Sequence, residues 1–311
     1  MILTVTLNPS VDISYPLDSL AINQVNRCTL TRKTAGGKGL NVTRVIHQMA
    51  VQVKATGLLG GALGTFIEEQ LDTQQIDHHF AKIKGETRNC IAILHDGDQQ
   101  TEILETGPTV SKTELARFEK VLIDDSKEAS VVTLSGSLPN GAPPSYYVNL
   151  LKKLKDTSAK VILDTSGDNL KTVLEAAFKP YAIKPNLEEL EELTNTKIQH
   201  DDSKLKDLLR EPLFAGIPLI VVSLGKEGAF VKFKEHFYRV KIPKITVINP
   251  VGSGDSAVAG LAIALEKAAD IEETLKTAMT LGMLNTMESQ TGFVNKNNFE
   301  TYFNQIILLK N

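Results

Sequence analysis

The sequence predicts an α/β protein, a three-layer α/β/α arrangement with a mostly parallel central sheet and a small β lid. Three observations predict it. Short β-rich runs alternate with longer segments of helical period along the whole chain. Two segments, from about residues 12–35 and 86–106, break that alternation. Finally, 311 residues with 42% hydrophobic and 23% charged side chains can fill one large core, and no linker rich in Pro, Gly or Ser divides them. The expectation is one domain over residues 1–311 with a discontinuous lid.

In chain order, residues 2–7, 53–58, 131–134, 161–164, 182–184 and 219–223 read as buried strands. Between them, residues 40–50, 114–126, 146–155 and 205–214 place apolar side chains three and four apart, as Val42, Val45, Ile46 and Met49 do. The first irregular segment contains Thr29-Leu30-Thr31-Arg32-Lys33-Thr34, which alternates polar and apolar. The second reads as a β-hairpin: Ile91-Ala92-Ile93-Leu94, a turn at His95-Asp96-Gly97-Asp98, then Thr101-Glu102-Ile103-Leu104. Neither segment has a crossover helix after it in this reading, so both leave the main sheet. Near the C-terminus a strand at 245–248 runs into the turn Gly252-Ser253-Gly254. The helix behind that turn, residues 257–265, is apolar all round and therefore buried.

Composition excludes several classes. With 34 Lys+Arg against 37 Asp+Glu the net charge is −3, too acidic for a general nucleic-acid coat, and the sequence has no Trp and no basic–aromatic run. No stretch approaches the roughly 18 apolar residues of a membrane span, and the opening Met-Ile-Leu-Thr-Val-Thr-Leu reads as a strand. Cys28 and Cys90 form no metal or redox pair, which suits two reduced thiols in a cytoplasmic protein. The six histidines show no zinc spacing.

The most informative segment is Asn249-Pro250-Val251-Gly252-Ser253-Gly254-Asp255. A helix that opens inside the molecule presents unpaired N–H groups and a positive dipole end, and glycines let that backbone approach a phosphate. Asp255 at its mouth would repel a resting pyrophosphate but could take a proton from a hydroxyl, as phosphoryl transfer requires. The same residues would also make an ordinary tight turn. Gly252-x-Gly254-x-x-Ala257 formally fits a dinucleotide fingerprint, though only Glu266 stands near where a ribose-binding acid would follow; no GxxxxGK[ST] exists. Gly36-Gly37-Lys38-Gly39-Leu40-Asn41 is a second glycine turn before a helix, suited to a phosphate or a polyol.

Smaller signals lie between. Asp12 follows the first strand, where carboxylates can hold sugar hydroxyls. Arg27 and Arg88 enter the two lid segments and could clamp a phosphate, or be solvated surface arginines. Lys184-Pro185-Asn186-Leu187-Glu188-Glu189 opens an acidic helix. Asn186 and Glu189 could orient magnesium-bound water, and equally have the form of a helix-capping box, as Ser111 and Glu114 do. Ser223-x-Gly225 and Gly228 could line a nucleotide or form a turn.

These segments in this order resemble the ribokinase-like sugar kinases, the group that includes phosphofructokinase B. Two signatures carry the likeness, Gly36-Gly37-Lys38-Gly39-Leu40-Asn41-Val42 and Asn249-Pro250-Val251-Gly252-Ser253-Gly254-Asp255, with Asn186-x-x-Glu189 and Ser223-x-Gly225 between them. Asn8-Pro9-Ser10-Val11-Asp12, Gly85-Glu86-Thr87-Arg88-Asn89 and Ser135-Gly136-Ser137-Leu138-Pro139 look like its hexose-phosphate branch. The resemblance implies a ribokinase-like fold and an ATP- and Mg2+-dependent kinase. Its expected acceptor is D-tagatose 6-phosphate at O1, with fructose 1-phosphate or a non-catalytic sugar-phosphate sensor as alternatives. It implies Asp255 as base with Gly252, Ser253 and Gly254 around the moving phosphoryl group. Lys38, Arg88 and Arg27 are expected on the substrate's phosphate, with Asp12, Gly37 and Asn41 at the sugar. Lys184, Asn186, Ser223, Gly225 and Gly228 are expected at the nucleotide, and Asn186 and Glu189 at the metal through water. It also implies a homodimer through the lid. Many members carry Asp and Thr where Asn249 and Pro250 stand, and Ala where Ser253 stands, which leaves monovalent-cation activation near that turn open.

Overall fold

The computed structural model describes residues 1–97, 99–199 and 201–311. Its first strand, β1 (Ile2–Thr6), is buried at every position because both faces of the sheet are covered. The chain then forms β2 (Ser10–Pro16) and β3 (Arg32–Gly36) before α1 (Lys38–Gln48) carries it to β4 (Val53–Leu59). Helix α2 (Gly61–Thr73) leads to β5 (Asp77–Lys82), followed by the hairpin β6 (Arg88–His95) and β7 (Gln99–Leu104). Then α3 (Lys112–Ser126), β8 (Val131–Ser135), α4 (Tyr146–Leu154), β9 (Lys160–Asp164), α5 (Gly167–Glu175) and β10 (Ala182–Ile183) alternate regularly. After α6 (Leu187–Thr194) and α7 (Asp202–Leu208) come β11 (Leu219–Ser223), β12 (Ala229–Phe233) and β13 (His236–Lys241). Helices α8 (Ser253–Glu266), α9 (Ile271–Thr286) and α10 (Phe299–Phe303) precede the last strand, β14 (Ile307–Lys310).

Ten strands form the main sheet in the order β14-β13-β12-β11-β10-β9-β8-β1-β4-β5. From β5 to β11 all neighbours are parallel; β12, β13 and β14 add an antiparallel edge. Side-chain alternation sends Leu3 and Val5 to one face, against Phe118, Tyr147 and Leu150 from α3 and α4. It sends Ile2 to the other, with Val42 and Val45 of α1 and Val258 and Leu261 of α8. The three-layer arrangement expected from the alternation is the one observed. A separate four-stranded sheet, β3-β2-β6-β7, packs Val11, Ile13 and Ala35 against Ile67 and Leu71 of α2.

Four sequence expectations need correction. The segments leading out of the small sheet do run into helices: β3 passes directly into α1, and β7 reaches α3 after a short loop. The small sheet is therefore inserted within the crossovers β1–α1–β4 and β5–α3–β8. The predicted strand at 245–248 is a loop, its Val247 and Ile248 side chains 55% and 63% exposed; Ile248 and Asn249 N–H both bond the Thr286 carbonyl and find no strand partner. The predicted helix at 205–214 ends at Leu208, because Pro212 cannot continue it and instead starts a single tight turn. The strand through 182–184 stops at Ile183, before Lys184-Pro185. Asp98 of the predicted hairpin turn lies outside the described residues.

Candidate active site

The ends of the parallel strands and the small sheet enclose one cleft of about 1670 Å³. Helix α8 opens into it. Gly252 caps that helix at φ 83°, and a Cβ there would lie 2.6 Å from Thr291 Cγ2, so the turn requires glycine. The first-turn N–H groups behind it have no partners within the helix, and residues 255–265 are all buried.

Asp255, in that first turn, is 6% exposed. Its Oδ2 accepts a hydrogen bond from Asn41 Nδ2 of α1 at 2.7 Å. Burial pushes the Asp255 carboxyl up to about 6, and the nearby Asp164 adds to the rise against the Asn41 bond, Lys38 and Lys184. A carboxylate so placed is a base tuned close to neutral pH.

Asp164 ends β9 and is buried between two lysines, Lys184 Nζ at 3.5 Å from Oδ1 and Lys38 Nζ at 3.5 Å from Oδ2. Burial opposes its charge, but Lys184 and then Lys38 hold its carboxyl below the ordinary range. Lys38 opens α1 behind Gly37; Asp164 first, then Asp255 and Glu189 against the cost of burial, raise its ammonium above the usual lysine range. Lys184 reaches the anion turn itself, since a Cβ on Gly254 would meet its Nζ at 3.0 Å.

Asp12 and Arg88 line the same cleft on the side of the small sheet. Asp12 Oδ1 accepts from Ser10 Oγ at 2.6 Å, and Gly36 leaves the room its carboxylate fills. Burial raises the Asp12 carboxyl, against the Ser10 bond and the charges of Arg44 and Arg88. Arg88 donates to the carbonyls of Asn8 and Glu105, which anchors the hairpin as well as facing the cleft. Asn186 and Glu189 form a full capping box: Asn186 Oδ1 accepts from Glu189 N–H at 2.7 Å, and Glu189 Oε2 accepts from Asn186 N–H at 2.9 Å. Ser223 sits beside Asn186 at the adjacent strand end, and Gly225 and Gly228 follow it along the cleft wall.

Every sequence-predicted site residue lines this cleft except Arg27. Arg27 lies exposed on the loop between β2 and β3 and does not line the cleft of its own chain. The residues that sequence reasoning missed are Asp164 and Arg44. Asp164 ends a predicted strand, the same signal that singled out Asp12. Arg44 is a lone charge on the apolar stripe of α1.

Residues 5–298 match the pfkB family of carbohydrate kinases. The chain belongs to that family. Relatives from two strains of Staphylococcus epidermidis, both named tagatose-6-phosphate kinase, are 53% identical over 310 residues, spanning 100% of this chain and of their own length. Among solved structures, phosphofructokinase-2 from Escherichia coli in complex with fructose-6-phosphate gives a TM-score of 0.89 at 25% identity, covering 97% of this chain and 98% of that one. The same enzyme in complex with potassium gives 0.90 at the same identity and coverage. As a carbohydrate kinase, the protein moves a phosphoryl group from ATP to a sugar hydroxyl.

Proposed function

We propose that the enzyme phosphorylates O1 of D-tagatose 6-phosphate with the γ-phosphoryl group of ATP, giving the 1,6-bisphosphate and ADP. The observation that carries this reading is Asp255, a buried carboxylate in the uncapped first turn of a buried helix, flanked by Lys38 and Lys184. The acceptor follows from the relatives' name at 53% identity over the whole chain.

Asp255 takes the proton of the acceptor hydroxyl as that oxygen forms a bond to the γ-phosphorus. The bond from that phosphorus to the β–γ bridging oxygen breaks, and ADP carries the electron pair away. N–H groups from Gly252 to Asp255 receive the equatorial oxygens of the moving group. The cations divide by their partners. Lys38 and Lys184 neighbour Asp164 and Asp255, so in this reading they neutralise the transferred phosphoryl, which moves Lys38 from the acceptor's phosphate and Lys184 from the nucleotide, where the resemblance put them. Arg88 acts on Asp12 on the small-sheet side, so in this reading Arg88 holds the acceptor's own phosphate while Asp12, Gly37 and Asn41 face its hydroxyls. Ser223, Gly225 and Gly228 line the nucleotide side.

Magnesium fits the residues present. It binds through one or two carboxylates plus phosphates and water. Asp164 Oδ2 is a buried carboxylate oxygen with only the Lys38 ammonium beside it, at 3.5 Å, and Glu189, which lines the same cleft, spends only Oε2 on its capping box. These two, with Asn186 through water, would hold the ion, which would supply charge neutralisation on the nucleotide phosphates. The reading places the enzyme in the cytoplasm, in keeping with two free cysteines and ATP as donor. It also makes the small sheet a lid that pairs with that of a second copy.

A coupled assay of ADP release with tagatose 6-phosphate, fructose 1-phosphate and fructose 6-phosphate as acceptors tests the function. The highest kcat/KM is expected for tagatose 6-phosphate. Preference for fructose 1-phosphate would overturn the acceptor, and no sugar-dependent ADP release would overturn the kinase.

A further inference from the structure

Arg44 is buried on the core face of α1, yet no carboxylate lies within ion-pair distance of it among the described residues. Its Nη1 donates to the Ala35 carbonyl at the end of β3. Its Nη2 donates to Asn41 Oδ1 and, at 3.4 Å, to the Thr291 carbonyl. Nε is buried without an acceptor. Gly292 keeps the space open, because a Cβ there would come within 2.9 Å of Arg44 Nη2 and 3.1 Å of Asn41. Burying a guanidinium with no carboxylate at ion-pair distance costs stability, offset only in part by the more distant charges of Asp12 and Asp255.

What the guanidinium determines is the orientation of an amide. The two ends of an asparagine amide have nearly the same shape, so their bonds decide which way the group turns. With Oδ1 held by Arg44, Nδ2 must face Asp255, to which it donates at 2.7 Å. Turned over, the amide would set its oxygen against the carboxylate and its NH2 against the guanidinium, two repulsions in place of two bonds.

We propose that Arg44 is a positioning residue for phosphoryl transfer, which fixes the Asn41 amide and through it the orientation of Asp255. Its bonds to Ala35 and Thr291 tie that orientation to the small sheet and to the loop beside the anion turn. The proposal rests on Asp255 being the base.

The charged groups around Asp255 are Asp164 at the end of β9, Lys184 just past β10, Lys38 at the start of α1, and Arg44 within it; Arg44 also faces Asp12 of β2, on which Asn41→Ala leaves its charge in place. The test is the pH profile of kcat/KM for Arg44→Met, Asn41→Ala and the double variant, with ATP affinity measured separately by equilibrium binding. Each single change is expected to lower kcat on the order of 10²-fold, the effect of a misplaced catalytic group. Each should also move the acid limb to higher pH, because Asp255 loses a partner that favours its charged form. Substrate phosphates, whose second ionisation lies near pH ~6, titrate alike in all variants, so the shift between profiles belongs to the enzyme. The double variant should be no slower than Asn41→Ala, and ATP affinity should stay within about twofold of the unaltered enzyme. Should Arg44→Met not fold, Arg44→Lys carries the test. It keeps the charge but cannot fork to Ala35 and Asn41 together, so a slower kcat and a smaller limb shift in the same direction are expected. Losses that add in the double variant, or an acid limb that stays in place, would make Arg44 structural only and leave the proposed function standing. Normal turnover in Asp255→Asn would remove both.

Discussion

Asp255→Asn removes a negative charge and the proton-accepting capacity while keeping the shape, so it separates chemistry from folding. Turnover should drop about 10²–10⁴-fold, with the circular dichroism spectrum and ATP binding unchanged; near-normal turnover would remove the base. Because burial and Asp164 raise the Asp255 carboxyl to about 6, the base is protonated and idle below that pH. kcat/KM should therefore fall as the pH drops through about 6 and level off above it. The division of cations gives a second residue-scale expectation. Lys38→Met should act chiefly on kcat, whereas Arg88→Met should raise KM for the sugar phosphate more than KM for ATP. Equal effects of Arg88→Met on both substrates would move that arginine to the nucleotide side. Asp255 and its glycines were legible in the sequence because a turn and a buried helix start are contiguous there. The Lys38–Asp164–Lys184 cluster was not, since β9, α1 and the residue after β10 meet only through the sheet order.

Helix α8 carries Asp255, and its position depends on how closely it packs against α9. A Cβ on Gly260 would lie 2.5 Å from Ala278 Cα and 2.8 Å from the Thr277 carbonyl, backbone that cannot swing aside. Gly260→Ala should therefore destabilise the fold by about 1–3 kcal/mol, the range for an overpacked core, read as a lower urea midpoint. Helix α3 offers a test of the capping residues. Ser111 accepts from Glu114 N–H, and Glu114 in turn accepts from Ser111 and from Lys84 N–H. Ser111→Ala should cost about 0.5–2 kcal/mol. Hydrogen bonds from the Ser111 side chain, then from the Ser111 and Lys84 backbones, hold the Glu114 carboxyl down to about 2, from an unperturbed 4.5. A carboxyl depressed by folding stabilises the protein above its unfolded value and loses that contribution as pH falls through the folded one. The stability curve of Glu114→Gln should thus be flatter between pH 4.5 and 2 than that of the unaltered protein. Both capping boxes were readable from spacing alone, because a cap is a contact between residues three apart. The strand expected at 245–248 failed for the opposite reason: its β-branched residues suit a strand, but strand pairing depends on a distant neighbour, and none is there among the described residues.

At the scale of the whole molecule, the small sheet leaves apolar surface that one chain does not cover. Cross-strand register puts Leu94 and Leu104 on the same face as Asp12 and Cys90, and they are 39% and 59% exposed. The loop between β2 and β3 adds Ile22, Val25 and Leu30, all more than 70% exposed, around Arg27. Exposed apolar surface of this kind marks an interaction face, whereas the other face of the sheet packs Val11, Ile13 and Ala35 on α2 and leaves only Ile103 open. Two irregular segments without a buried home announced this sheet in the sequence; that its strands interrupt two crossovers did not show, although helix-period segments follow both, because period alone does not say which strands a helix joins. A second copy seated on this face would cover the open side of the acceptor end of the cleft. Sedimentation velocity should then give about twice the 34.0 kDa chain mass at working concentration. Leu104→Asp would set a charge in that face, so the variant should sediment as a single chain and bind sugar phosphate more weakly while ATP affinity is kept. An unaltered protein that already runs at 34.0 kDa would overturn the paired lid. A Leu104→Asp dimer would instead place the contact on the Ile22, Val25 and Leu30 loop, where Val25→Asp should then split it.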